Sequence, residues 1–166
     1  MASIWVDSLG RSFEHSFGLL EAAIQDCPDD LWESSMWEVA EGDPAYAARR
    51  STPWSVAWHA LEIVDYDLSG GLTPFSPPPP FTNKAHWRDL SLLPSAGSQS
   101  ELLEYIDELR RRVNDVLSVM TDEKASTPLP ATHRQKGRPY AWLLTSIPLH
   151  TVEHAAQIRQ FVTTAA

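Results

Sequence analysis

Two histidines, His150 and His154, stand four residues apart in the run Leu149-His150-Thr151-Val152-Glu153-His154. On a helix that spacing stacks two side chains one turn apart on one face. Two imidazoles so placed can share one metal ion. Leu143, Ile147 and Phe161 fall near the same face, so the pair is predicted to point into a core. Histidines left unpaired there would be costly. Thr151 follows His150 where a zinc protease of the HExxH type has Glu, so that motif is excluded. Glu153 lies about 100° around the helix from His154 and is poorly placed as a ligand.

His59 lies on a second apolar stripe, with Val56, Ile63 and Tyr66. Taken alone, a histidine there is most often a hydrogen-bonded core residue. Set against an i, i+4 pair on another helix, it reads as a third ligand. Three neutral imidazoles and one open position make the layout of a catalytic zinc site. The donor set suits nickel, iron or cobalt as well, because imidazole selects poorly among them. Glu62, three residues after His59, could orient a ligand or accept a proton, and a solvated or salt-bridged role is the alternative. Gln157, three residues after His154, could hold a ligand ring from behind or fill a polar gap in the core. His15, His86 and His133 read as surface residues, the last two in loops. Cys27, just before Pro28, reads as a small filler, since nothing near it would lower its pKa.

Four helices are predicted to position these groups. The first runs from about Ser3 to Asp26, with Leu9, Phe13, Phe17, Leu20 and Ile24 at helical spacing. The second starts at Thr52-Pro53, a cap followed by a first-turn proline, and ends at Gly70-Gly71. The third starts at Ser98 or Ser100 and ends near Asp122, with a stripe of Leu103, Ile106, Leu109, Val113, Val116 and Met120. The fourth runs from about Tyr140 to Val162, and Pro148 should kink or split it. Residues 38–52 and 124–139 read as loops. Residues 69–97 hold Pro74, the run Pro77 to Pro80, and Pro94. A connection that long is unusual and can span a helix bundle, so helices two and three are expected to run parallel. No strand alternation is evident. The expected fold is all-α, a four-helix bundle with long loops and a long crossover between helices two and three, forming a single domain over residues 1–166.

Composition narrows the function. The 166 residues carry a net charge of −9, with 43% apolar and 21% charged residues, as in an ordinary globular chain. A nucleic-acid binder normally shows a basic footprint. The one dense basic run, Arg110-Arg111-Arg112, shares its helix with Glu101, Glu104, Asp107 and Glu108 and reads as a solvated face. No nucleic-acid partner and no membrane partner are expected: no stretch is long enough to span a bilayer, and no signal peptide is visible. With one cysteine and no intramolecular disulfide, the expected location is the cytoplasm. Seven tryptophans are many for this length. Most should be core, and Trp58, Trp142 and Tyr140 are candidates for a pocket wall.

The segment LHTVEHAAQIRQFV resembles the last helix of the DinB-like metalloenzymes, and PWSVAWHALEIVDYDLSG resembles their second helix with its single His. That resemblance implies the same bundle and crossover, a metal site at His59, His150 and His154, and a homodimer. It implies a divalent metal, zinc or nickel first and iron as a further option. Family members of known chemistry include thiol transferases and isomerases that use bacillithiol or mycothiol, and related domains in ergothioneine synthesis use iron. The implied function is therefore attack of a low-molecular-weight thiol cosubstrate on an electrophilic small-molecule substrate. A metal-dependent hydrolase and a non-catalytic metal- or ligand-binding dimer are the alternatives. Many members read His-His-Arg-Gly-Gln where this chain has Glu153-His154-Ala155-Ala156-Gln157, which leaves the thiol open.

Overall fold

The computed structural model describes residues 4–37, 50–70 and 96–165. Among them the fold is all-helical, with α1 Ile4–Gln25, α2 Pro53–Leu68, α3 Gln99–Ser118, a short α4 Asp122–Ser126 and α5 Tyr140–Ala165. The Pro-rich run, His86 and most of the loop expected at 38–52 lie outside the described residues.

Local chemistry explains the boundaries. Leu9, Phe13, Phe17, Leu20 and Ile24 are all buried along α1. Thr52 caps α2 by accepting from the Ser55 N–H, while the Ser55 hydroxyl accepts from the Thr52 N–H, and Pro53 takes the first turn. Its far end passes into Gly70 at φ 57°, a left-handed conformation that glycine adopts without strain. A Cβ on Gly70 would also meet the Tyr140 ring at 3.2 Å. Ser98 and Glu101 cap the start of α3 reciprocally.

Three expectations need correction. The buried stripe of α3 is Leu102, Tyr105, Ile106, Leu109, Val113 and Leu117, with Leu103, Val116 and Met120 only partly buried at its edge. The stripe is rotated because Tyr105, a polar aromatic, turns inward. The third helix ends at Ser118, and α4 follows where loop was expected. Thr121 caps α4 by accepting from the Lys124 N–H, with Asp122 and Glu123 in its first turn. Of the two outcomes expected at Pro148, a kink or a split, the split is the one corrected: α5 is one helix through Pro148.

The four long helices form a ring of neighbours in the order α1, α5, α2, α3. α2 and α3 begin at one end: Trp54 N–H donates to Trp32 O, and Gln99 Nε2 to Cys27 O, both just past α1. They finish together at the other end, where Gly70, Val116 and Met120 line a cavity of about 260 Å³ with Leu129 and Tyr140. The two helices therefore run in the same direction, as a long connection requires. α5 starts where α2 stops, with Tyr140 Oη donating to Leu68 O, and runs antiparallel to α2. That brings the middle of α5 beside the middle of α2. α2 is buried on nearly every side. None of the described helices is long and apolar enough to cross a membrane.

Candidate metal centre

His59 comes from α2, and His150 and His154 from α5. Their rings meet nearly edge to face, with centroids 5.1 Å apart for His59 and His150, 5.0 Å for His59 and His154, and 4.4 Å for His150 and His154. One nitrogen from each lies within 4.8 Å of the other two. Donors bonded at ~2.0–2.1 Å to a tetrahedral zinc stand roughly 3.3 Å apart, so this spacing suits a single ion.

The hydrogen bonds sharpen the argument. His154 Nδ1 lies 2.7 Å from Gln157 Oε1, an acceptor, so Nδ1 carries the proton. That leaves a lone pair on His154 Nε2, which stands 3.0 Å from His150 Nε2. His150 Nδ1 is buried with no hydrogen-bond partner among the described residues. If His150 is protonated at Nε2, it satisfies His154 but strands its own Nδ1 lone pair. If it is protonated at Nδ1, it strands that donor and sets two lone pairs face to face. Either tautomer leaves an unmet polar group, at a cost of about 1–3 kcal/mol. A cation among the three rings would take up the two facing Nε2 lone pairs of the second arrangement.

Charge states agree. Burial pushes His59 down to about 3, helped by the charges of His154, His150, Arg134 and Arg50. Burial, His154 and Arg134 push His150 down to about 4. His154 is lowered by burial, against the Gln157 hydrogen bond and the Glu153 charge, which raise it. All three imidazoles are therefore neutral at pH 7, the form that a metal requires. The three residues fit a divalent ion.

Other expected residues fall differently. Glu62 is 1% exposed, so it is not solvated. Its carboxylate is not among the converging donors, and its charge acts on Tyr105 of α3. Gln157 hydrogen-bonds His154 from the outer side of the ring. His15 is exposed. Cys27 is 3% exposed, and burial pushes its thiol up to about 11, so it is inert. Trp58 is core at 2% exposed, Trp142 lies on the surface under Arg138, and Tyr140 walls the cavity at the far end of α2.

His133 is not a surface residue. It is 3% exposed, stacked on Tyr66 with centroids 5.5 Å apart, and its Nε2 is 3.4 Å from Asp67 Oδ1. Arg134 Nη2 bonds the other oxygen of Asp67, itself 1% exposed. The loop before α5 is pinned for this purpose: Leu129 N–H donates to Arg138 O, Gly137 N–H to Leu129 O, and Tyr140 N–H to Thr127 O. The basic run also departs from a solvated face. Arg110 pairs with Glu14 and Glu21 of α1, and Arg112 with Asp65 of α2, while Arg111 alone stays largely exposed.

Comparison with known proteins adds the family. No curated protein and no solved structure is similar enough to match the chain. The family model of the DinB superfamily matches residues 12–158. That span takes in His59, His150 and His154, all of α2 and α5 as far as Ile158, and the chain belongs to the DinB superfamily.

Proposed function

We propose that this protein is a divalent-metal-dependent enzyme that transfers a small thiol to an electrophilic small molecule. The observation that carries this reading is the convergence of three neutral imidazoles from two helices on one point. His59, His150 and His154 would hold zinc or nickel, with iron a further candidate. An ion held there supplies Lewis acidity, which lowers the pKa of a sulfur or oxygen donor at neutral pH. Gln157 fixes the tautomer of His154, so that Nε2 faces inward. Glu62, buried one turn beyond His59, is assigned the proton that the thiol releases. The sulfur forms a bond to the electrophilic carbon. The displaced group departs with the bonding pair and takes up a proton. The reading includes a homodimer acting in the cytoplasm.

A screen of low-molecular-weight thiols against an aryl halide, using tag-free protein, tests the proposal. Turnover that disappears on chelation and returns with zinc or nickel supports it. Turnover that survives stringent chelation removes the metal from the reaction. One bound ion with no turnover for any thiol leaves a metal-binding protein and overturns the transferase reading.

A further inference from the structure

Arg134 is held in an uncommon way for a surface arginine. Its Nη2 is anchored to Asp67, a carboxylate 1% exposed, yet the Arg134 side chain is 39% exposed. His133 already contacts the other oxygen of Asp67. A guanidinium offers five N–H donors in a rigid fork. The others on Arg134 have no hydrogen-bond partner among the described residues.

The position of Arg134 follows from the helices. Tyr66 lies seven residues after His59, nearly two full turns, so the two share one side of α2. Tyr66 stacks on His133, the neighbour of Arg134. Arg134 itself is anchored to Asp67, eight residues after His59 and about 80° around α2 from it, toward the start of α5. Its charge reaches the rings of both His59 and His150. Arg50 adds a second positive charge at His59. A fixed, half-exposed guanidinium beside a metal centre suits one ligand chemistry above others, a carboxylate that accepts two parallel N–H bonds.

We infer that Arg134 is a specificity-determining residue that binds the carboxylate of a small anionic substrate or cosubstrate whose sulfur or oxygen reaches the three-histidine centre. This rests on the metal reading above, and it names the class of molecule that the site takes. Neutral analogues of the same shape should be rejected, because the exposed N–H fork would lose its partner.

The test uses the full chain loaded with zinc, with 3-mercaptopropionate and its neutral amide, 3-mercaptopropionamide, as probes. Calorimetry gives both dissociation constants, and elemental analysis gives zinc content. The acid should bind about 10-fold tighter than the amide. Arg134→Gln should bring that ratio to about 1 while zinc content stays at the wild-type level. Arg134→Lys keeps a charge beside Asp67 and guards against misfolding of the Gln variant. It should retain only part of the discrimination, because an ammonium lacks the fork. Equal affinities for acid and amide in the zinc-loaded wild type overturn the inference alone. So does a ratio that survives both substitutions. A wild type that holds no zinc overturns the metal reading, and this inference falls with it.

Discussion

On the side of α2 that faces α3, Asp65 accepts from Tyr105 Oη at 2.7 Å and from Arg112, which also bonds Glu108. On the side that faces α5, His59 meets two further neutral imidazoles. Both sides bury polar groups at the centre of the molecule. In the first, each charge meets its complement and each donor an acceptor, so the cluster is finished within the chain. In the second, like groups converge, with Nε2 of His150 and Nε2 of His154 facing each other at 3.0 Å. Opposites that cancel hold helices together. Like groups that converge call for a third body.

The contrast breaks most visibly if the converging set is cut. His150→Ala with His154→Ala should reduce bound metal from about one ion per chain to under ~0.1, by elemental analysis of tag-free protein, with helical circular dichroism kept. Equal metal in variant and wild type would dismiss the centre.

Acid should act next. His59 and His150 are depressed from 6.5 to about 3 and about 4. Below pH 6.5 the unfolded chain takes up protons that the folded chain refuses. The stability from neutral imidazoles is therefore complete above 6.5 and is lost as pH falls toward 4. In chelator-treated protein the loss should approach about 1 kcal/mol per imidazole per pH unit. Asp65 and Asp67, raised by burial above 3.8, work in the opposite direction as pH falls toward 3.8. Urea unfolding at several pH values, with His59→Gln, His150→Gln as reference, isolates the imidazole part. Parallel curves for wild type and reference would refute it.

Gln157→Leu should weaken metal affinity about 10–100-fold by freeing the His154 ring, read by competition with a chelating dye. The smallest effect is expected on the finished side. Tyr105→Phe should cost about 1–2 kcal/mol in urea unfolding by removing one hydrogen bond from Asp65, with metal content unchanged. A matching loss of metal would erase the distinction between the two sides.

Much of this was legible from the chain, and most of the misses share a cause. His150 and His154 are joined by local spacing, and His59 by a stripe and a cap at Thr52-Pro53. Short-range patterns of that kind survive translation into structure. His133 and Arg112 went astray because their partners, Asp67 and Asp65, lie on another helix. Loop position and charge density argue for solvent, and only tertiary packing overrides them. The rotated stripe of α3 has the same origin, since Tyr105 turns inward to reach Asp65. The short α4 is a different miss. Thr121 followed by Asp122 and Glu123 is a helix-start signature that the hydrophobic pattern masked.

The direction of α5 has a consequence for the life of the protein. The pair on α5 offers two ligands by itself, and the third arrives only when α5 docks antiparallel on α2. An ion would therefore act as a latch across a loop that includes all of α3, adding stability by mass action as its concentration exceeds the dissociation constant. In a metal-starved cell the latch would open. α5 would then be held on α1 and α2 by protein contacts alone, and proteases would remove the unloaded chains first.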